Sequence, residues 1–369
     1  MKSNKILVNT KSKSYPIFIG NENIASTGYL IKKQLPKVKK ICIIGDKKVP
    51  KKIFIKLKKS LKKYDVTTRK LSVNEKIKNF KIAYKLIEFL IKKNFNKSDC
   101  VISLGGGVVG DLSAFVSSLV KRGVKFINIP TTLLAQVDSS IGGKTGVNSD
   151  QGKNLIGTIY QPDFVVTDIS ALKSLPKREV ICGYGEILKH SLILDRKFFF
   201  WLKKNGKKII NIKNKNILIN AITKSCKIKS SVVSKDESEI NLRMILNFGH
   251  TFAHGFESAK NFSKKINHGE AVLLGMIIAS QLSYKKKILP LKDLLLIKKH
   301  YHDLNLPVNI KKYFKKNDVS KIVSFMKRDK KNFSSKLNLI LLKKIGKTTK
   351  PGSFIIGENE MKKLLYLYF

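Results

Sequence analysis

The chain has 369 residues and a mass of 41.7 kDa, a length that predicts two domains, each able to bury its own core. Hydrophobic residues make up 43% and charged residues 27%, which excludes a largely disordered or collagen-like chain. The net charge of +49 suggests a nucleic acid or an anionic membrane as partner. However, only six of the 74 basic residues are arginine, and the lysines are spread along the whole chain, so we favour a solvated lysine surface and expect neither partner.

The cysteines and the N-terminus predict a cytoplasmic protein. Cys42, Cys100, Cys182 and Cys226 are far apart and have apolar neighbours, as expected of buried free thiols in a reducing compartment. The first 14 residues lack the apolar core of a signal peptide. The longest apolar stretch, around residues 271–282, is too short for a membrane span.

The first half of the chain predicts alternating strands and helices. Apolar runs that predict strands occupy residues 5–9, 15–20, 41–44, 100–104 and 125–129. Helical spacing of apolar residues appears at 80–93 and 111–120. This alternation predicts an α/β domain over residues 1–177, with a mostly parallel, Rossmann-like sheet covered by helices.

The second half, residues 178–369, predicts a mainly α-helical domain. Its apolar residues recur at helical spacing over residues 186–193, 216–233, 242–259, 270–287 and 291–300. A proline and mixed charges in the segment KSLPKRE, residues 173–179, mark the boundary between the domains.

Glycines at residues 105–111, in the segment GGGVVGD, lie between a predicted strand and a predicted helix. Such a loop lets a pyrophosphate approach the backbone and the helix N-terminus, although glycines also serve plain tight turns. Thr131 and Thr132 end the next strand, where they could face a ligand or cap a helix. A P-loop is excluded around Lys144, because its first glycine would fall on Asp138.

Histidines are scarce and therefore informative. His250 and His254 are four residues apart, which places them on one helical face, and His268 begins another helical segment. Together with Glu186, His250 and His268 would leave the open coordination position of a catalytic metal ion. The alternative is that these histidines are ordinary hydrogen-bonded polar groups. A zinc-protease motif is excluded, because Thr251 follows His250.

Several long motifs occur in one fixed order. They are GGGVVGDLSAFVSS, KRGVKFINIPTTLLAQVDSSIGGKTGVN, QGKNLIGTIYQP, GYGEILKH, LRMILNFGHTFAH, NHGEAVLLGM and MKRDKK. Together they resemble the 3-dehydroquinate synthase family of the shikimate pathway. The resemblance covers nearly the whole chain and is densest over residues 99–276.

The resemblance implies a homodimeric, cytoplasmic lyase of chorismate and aromatic amino acid biosynthesis, with its active site in the cleft between the two domains. Its substrate would be 3-deoxy-D-arabino-heptulosonate 7-phosphate, and its products 3-dehydroquinate and phosphate. NAD would take a hydride from the substrate and later return it, and a divalent metal, zinc or cobalt, would polarise a substrate oxygen. Between these steps phosphate leaves by β-elimination, and an intramolecular aldol reaction closes the product ring.

The resemblance also implies a role for individual residues. The metal ligands would be Glu186, His250 and His268. NAD contacts fall on Asp46, Glu75, Lys78, Gly107, Val108, Val109, Gly110, Asp111, Thr131, Thr132, Lys144, Lys153, Ala171, Leu172, Lys173 and Ser174. Substrate and catalytic contacts fall on Asp138, Lys144, Asn154, Lys189, Lys229, Arg243, Asn247 and His254. Lys330 or Lys331 would reach the phosphate, and Arg122 would cross the dimer interface to the partner's site.

Three other functions compete with this interpretation. Another sugar-phosphate cyclase, making an inosose or a valiolone, would share the cofactor and the metal, but Arg243, Asn247 and His254 together favour dehydroquinate synthesis. A metal-dependent polyol dehydrogenase would have no use for lysines that bind a phosphorylated acid. A basic nucleic-acid-binding protein would leave the histidine and glycine motifs without a role.

Overall fold

The computed structural model describes residues 4–263, 265–327 and 336–369, which form two compact units. The first unit extends to Val180 and also contains Ile212–Ser238. The second comprises Ile181–Asn211 and the described part of Glu239–Phe369.

A seven-stranded sheet forms the centre of the first unit. The strands of this unit are β1 (Asn4–Asn9), β2 (Ser14–Gly20), β3 (Lys40–Asp46), β4 (Asp65–Leu71), β5 (Cys100–Gly105), β6 (Lys125–Pro130), β7 (Val147–Ser149), β8 (Gly152–Ile156) and β9 (Phe164–Asp168). The sheet order is β1-β2-β9-β6-β5-β3-β4, while β7 and β8 form a separate antiparallel pair. In the large sheet only the β1–β2 pairing is antiparallel, as expected of a Rossmann-like domain.

The described residues contain twelve α-helices. They are α1 (Thr27–Gln34), α2 (Lys51–Ser60), α3 (Phe80–Lys92), α4 (Gly107–Leu119), α5 (Lys177–Leu194), α6 (Arg196–Ile210), α7 (Lys215–Lys235), α8 (His250–Ala259), α9 (His268–Lys285), α10 (Leu291–Asp303), α11 (Val319–Lys327) and α12 (Glu358–Tyr366). The helix α7 lies within the part of the chain assigned to the first unit, and α5 passes from the first unit into the second.

Helices cover both faces of the sheet. Successive side chains of a strand point to opposite faces, and in β3 both sets are buried. Ile43 belongs to the same packed cluster as Ile53 of α2, whereas the next residue, Ile44, packs in the cluster that contains Leu112 of α4. Burial on both faces explains why the central strands are continuous apolar runs in the sequence.

The helix after β5 begins one turn earlier than the sequence predicted. The sequence predicted a helix over residues 111–120, and the structure begins α4 at Gly107. Glycine lowers helix propensity, so the sequence pattern favoured a loop here. The strand β4 was also missed, because it is a largely uncovered edge strand with polar residues and no apolar alternation.

The second unit is built around the buried helix α9. Its residues from Gly269 to Ser280 are buried without interruption, and α8 and α10 pack against it. The stretch 242–259, predicted as one helical segment, is divided into a 3-10 turn at Leu242–Asn247 and the helix α8. The break falls at Gly249, whose φ of 81° lies in the left-handed region that favours glycine. Short strand pairs join β10 (Leu337–Asn338) to β13 (Ile355–Ile356) and β11 (Leu342–Lys344) to β12 (Lys347–Thr348).

All four cysteines are buried and free, which confirms the expectation from their spacing. Within residues 4–263, 265–327 and 336–369, no helix is both long enough and apolar enough to span a membrane.

Candidate active site

Four of the segments predicted to contact NAD lie at one edge of the sheet. Asp46 ends β3, the segment from Gly107 begins α4 directly after β5, and Thr131 and Thr132 follow β6. The segment Ala171–Ser174 lies in a 3-10 turn that follows β9. Because β9, β6, β5 and β3 are adjacent and parallel, their carboxyl ends meet at the same edge. Residues far apart in sequence therefore line one edge.

The direction in which successive strands are added to the sheet reverses between β3 and β5. From β3 the chain moves outward to β4, and it then returns to place β5 on the other side of β3. Such a switch point opens a crevice between the carboxyl ends of two neighbouring strands, where open α/β sheets bind ligands. Asp46 stands on one side of the crevice and the glycine segment on the other.

The glycines after β5 lie close to side chains of the next loop. A Cβ added at Gly106 would lie 3.2 Å from the Thr132 side chain, and one at Gly107 would lie 3.1 Å from the Ser139 hydroxyl. Because glycine has no side chain, a ligand can approach the backbone amides at the start of α4, which have no acceptor within the helix. Backbone N–H groups at a helix N-terminus bind phosphate groups. These residues fit a dinucleotide.

Other predicted NAD contacts form a polar network beside the glycine segment. Lys78 is buried, its ammonium lies 2.5 Å from Asp111 Oδ2, and it also donates a hydrogen bond to Asn154. Burial raises the pKa of the Asp111 carboxyl, and the nearby Lys78 ammonium opposes that rise. Lys153 lies 3.8 Å from Glu75. Predicted cofactor and substrate residues are thus hydrogen-bonded to one another.

The remaining predicted residues of this unit occupy turns and α7. Lys229 Nζ on α7 lies 2.8 Å from Asp138 Oδ1, and it also donates a hydrogen bond to the Asp138 carbonyl oxygen. Lys144 is exposed before β7, where it pairs with Ile159 in an isolated antiparallel bridge. Arg122 is exposed after α4, with a φ of 58°.

In the second unit, two close backbone contacts bring three helices together. A Cβ at Gly269 of α9 would lie 2.2 Å from Cys182 Cα of α5, and a Cβ at Gly275 would lie 2.1 Å from the Gly249 carbonyl oxygen. Only glycine permits these approaches. Gly269 follows His268 and Gly249 precedes His250, so each contact fixes a helix next to a predicted metal ligand.

Glu186, His250 and His268 form a cluster whose ligand atoms lie within 4.8 Å of one another. Glu186 Oε1 lies 3.7 Å from His250 Nε2 and 3.9 Å from His268 Nε2. The Glu186 side chain is fully buried and forms an ion pair with Lys189, yet neither carboxylate oxygen accepts a hydrogen bond from the part of the chain that the structure describes. A buried carboxylate is costly unless it is paired; Lys189 supplies one cation, and the two oxygens without a hydrogen bond are suited to coordinate a second cation.

The donor set fits a divalent metal ion. The Nδ1 atom of His250 lies 3.4 Å from the Phe248 carbonyl oxygen, and Nδ1 of His268 lies 3.0 Å from Glu257 Oε2. With Nδ1 occupied in this way, each ring presents its Nε2 atom to Glu186. One carboxylate and two imidazoles are a common ligand set for catalytic zinc, with a further position left for water or substrate.

Two other predicted residues lie beside this cluster, and two more occupy the 3-10 turn before α8. The His254 ring lies 5.6 Å from the His250 ring, and Lys189 pairs with Glu186. Arg243 is buried in the 3-10 turn before α8, and in the same turn Asn247 donates a 2.8 Å hydrogen bond to Glu239. Lys330 and Lys331 lie outside the described residues.

Sequence reasoning missed Glu257, the partner of His268. It follows His250 by seven residues, which is two helical turns, so helical periodicity would have placed the two on one face of α8. Sequence reasoning also missed Glu239, because a partner in an irregular turn leaves no periodic signal.

Solved structures share this fold. A 2-deoxy-scyllo-inosose synthase complexed with carbaglucose-6-phosphate, NAD+ and Co2+ superposes with a TM-score of 0.90 at 24% identity, covering 99% of this chain and all of that one. The 2-epi-5-epi-valiolone synthase of Streptomyces hygroscopicus subsp. jinggangensis 5008, with NAD+ and Zn2+ bound, gives 0.83 at 22% identity and covers 97% of both chains. The chain therefore shares its fold with these two synthases.

Sequence comparison identifies the family. The chain belongs to the 3-dehydroquinate synthase family: the model of that family's N-terminal region matches residues 68–182, and the model of its C-terminal region matches residues 183–332. The 3-dehydroquinate synthase of Pelagibacter ubique (strain HTCC1062) is 52% identical over 342 residues, 93% of each chain. That of Thermodesulfovibrio yellowstonii is 39% identical over 364 residues, 98% of this chain and 99% of the other.

Proposed function

We propose that this enzyme converts 3-deoxy-D-arabino-heptulosonate 7-phosphate into 3-dehydroquinate and phosphate, with NAD and a divalent metal ion as cofactors. The observation that carries the proposal is the cluster of Glu186, His250 and His268 in a chain of the 3-dehydroquinate synthase family. Relatives named 3-dehydroquinate synthase, up to 52% identical, support the choice of reaction.

Glu186, His250 and His268 would hold the metal ion. When bound, a divalent ion supplies a Lewis acid that polarises a substrate oxygen. Glu186 contributes one negative charge and the neutral imidazoles contribute none, which leaves the site net positive toward an anionic oxygen. The two neighbouring proteins of similar fold, solved with Co2+ and with Zn2+, support a divalent ion here.

The glycine segment and the adjoining edge of the sheet would hold NAD. When bound, NAD supplies a reversible hydride acceptor for a reaction without net oxidation. Gly107 and the first amides of α4 would bind the pyrophosphate, while Asp46 ends the neighbouring strand, where it would meet the ribose. The same two neighbouring proteins were solved with NAD+.

Basic residues would bind the carboxylate and phosphate of the substrate. Lys189 and Arg243 are buried, and a buried cation attracts an anion more strongly than one in water does. His254 would place a proton donor near the leaving phosphate. Lys144, Asn154, Lys229 with Asp138, and Lys330 or Lys331 are further proposed contacts, and the many surface lysines would draw the anionic substrate toward the enzyme.

A homodimer in the cytoplasm completes the proposal, with Arg122 acting in the partner's site. This can be tested by mixing two inactive variants, Arg122→Ala and Lys144→Ala, under conditions of subunit exchange. Mixed dimers are expected to regain activity if Arg122 acts across the interface. No recovery after demonstrated exchange would overturn this role.

The main experiment supplies the purified enzyme with the heptulosonate phosphate, NAD and zinc. Phosphate release is measured together with the mass and identity of the organic product, and a hexose 6-phosphate without a carboxylate serves as control. We expect equal amounts of phosphate and 3-dehydroquinate from the first substrate and neither from the control. Turnover of the hexose phosphate to an inosose would instead support the alternative cyclase.

A further inference from the structure

The two histidines of the metal cluster are held by unequal partners. His250 Nδ1 meets a neutral carbonyl oxygen, that of Phe248, at 3.4 Å. His268 Nδ1 meets a carboxylate oxygen, that of Glu257, at the shorter distance of 3.0 Å. The Glu257 side chain is 8% exposed, so little water competes for this contact.

The contact with Glu257 selects one form of the His268 ring. A neutral imidazole carries its proton on only one nitrogen, and a carboxylate accepts a hydrogen bond but cannot donate one. The proton therefore lies on Nδ1, and the lone pair lies on Nε2. It is Nε2 that faces Glu186, 3.9 Å from Oε1. Without Glu257 the ring could turn over or carry its proton on Nε2, and neither state can bind a metal through that atom.

We propose that Glu257 is a positioning residue that holds His268 in its metal-binding orientation and tautomer and increases its donor strength. The inference rests on the proposed function, because it concerns a metal that the cluster is proposed to bind. A carboxylate hydrogen-bonded to a ligating imidazole makes the ligand more basic, and the loss of such a partner typically lowers metal affinity about 10-fold to 100-fold.

The position of Glu257 also links two ligands. Glu257 and His250 lie on the same helix, α8, two turns apart, whereas His268 begins α9. The Glu257 contact thus joins the imidazole ring of His268 to the helix that carries the other histidine. The Asn267 side chain caps α9 and Glu270 completes its capping box, so the backbone at His268 is fixed independently of Glu257. Glu257 acts on the ring of His268.

The test measures zinc affinity of the full-length, metal-stripped protein by competition with a chromogenic chelator. Glu257→Ala removes the acceptor, and we expect zinc affinity to fall about 10-fold to 100-fold. Glu257→Gln keeps the shape and an acceptor oxygen but loses the charge, so we expect a smaller loss and partial rescue. The absorption spectrum of the Co2+-loaded protein should change in the same order.

Asp293→Asn is the matched control. Asp293 is a buried carboxylate of the same unit. It pairs with Arg196 and accepts a hydrogen bond from the Ile345 amide, and neither partner belongs to the metal cluster. This variant should lower the denaturation midpoint without changing zinc affinity. A purely structural role for Glu257 would give the same pattern as the control.

Unchanged zinc affinity and an unchanged Co2+ spectrum in both Glu257 variants would overturn the inference while the proposed function stands. If Glu257→Ala does not fold, the isosteric Glu257→Gln decides by the same two measurements. If the wild-type protein binds no zinc, or if His268→Ala binds zinc as tightly as the wild type does, the proposed metal site itself fails. The role of Glu257 then fails with it.

Discussion

Glycines have different structural roles in the two units. After β5, a Cβ at Gly106 or Gly107 would meet side-chain atoms at 3.1–3.2 Å, and these side chains can shift by the few tenths of an ångström required. Around α9, a Cβ at Gly269 or Gly275 would lie 2.1–2.2 Å from backbone atoms of other segments, which cannot shift without moving a helix. We propose that the glycines at the edge of the sheet expose backbone to a dinucleotide, whereas those of the helical unit bring together the helices that carry Glu186, His250 and His268.

The largest effect is expected at the metal cluster. Glu186→Gln keeps the volume of the side chain but removes the only negative charge among the three ligands. Removal of a single oxyanion-hole donor costs about 100-fold to 1,000-fold in kcat, and loss of a bound Lewis acid should cost at least as much, so we expect activity to fall on the order of 1,000-fold, with loss of bound metal. Metal content and phosphate release measure this. A variant that kept metal and activity would remove Glu186 from the site.

A pair of alanine substitutions distinguishes the two roles of glycine. Gly275→Ala should lower the free energy of unfolding by about 3 kcal/mol, the upper end for overpacking, because its Cβ meets a backbone oxygen. Gly107→Ala should cost less than about 1 kcal/mol in stability yet weaken NAD binding. Chemical denaturation and NAD titration measure both.

Gly357→Ala is the control for this pair, since nothing lies within 4 Å of its Cβ position. Equal losses of stability at residues 107 and 275 would contradict the distinction between the two units.

The helical unit also contains a buried histidine that makes its stability depend on pH. The His300 Nε2 atom lies 2.8 Å from the Tyr184 hydroxyl oxygen and shares a hydrogen bond with it. Burial lowers the pKa of His300 from 6.5 to about 4. The unfolded chain therefore binds a proton at a higher pH than the folded chain does. Stability from this group is full above pH 6.5 and is lost as the pH falls toward about 4, by on the order of 3 kcal/mol.

Denaturant unfolding at several pH values should show this slope in the wild type and a shallower slope in His300→Gln. His302→Gln is the matched control, because the His302 side chain is 90% exposed. Equal slopes in the wild type and His300→Gln would contradict the assignment.

In the sheet unit, the ion pair of Lys78 and Asp111 also makes stability depend on pH. Here the loss caused by a substitution is expected to be larger at high pH than at low pH. Burial raises the pKa of Asp111 and the Lys78 ammonium counteracts it, so Lys78→Met should raise that pKa further. The charged carboxylate then loses its partner at high pH, whereas the protonated form at low pH loses little. We expect a cost of about 1–3 kcal/mol at pH 8 and a smaller cost at pH 4, measured by denaturation. Lys76→Met, at an exposed position, is the control.

Much of the fold could be predicted because burial on both faces leaves continuous apolar runs. The strands around Cys42, Cys100 and Phe126 are of this kind, and they were identified. The break at Gly249 could not be predicted, since its cause is a contact with Gly275, which lies on another helix. The three metal-cluster residues were singled out by residue type and by family resemblance. Spacing alone could not show that their helices meet, because the contacts that join them are made by glycines distant in sequence.

We propose that Glu186, His250 and His268 hold a divalent ion on which turnover depends. The most direct measurement is a zinc titration of the metal-stripped enzyme, with NAD and the heptulosonate phosphate saturating and phosphate release recorded. We predict that activity returns in proportion to zinc up to a single ion per chain, and that His268→Ala neither binds this ion nor recovers. Full turnover by the metal-stripped wild type, or recovery of His268→Ala by a single equivalent of zinc, would contradict the proposed metal site.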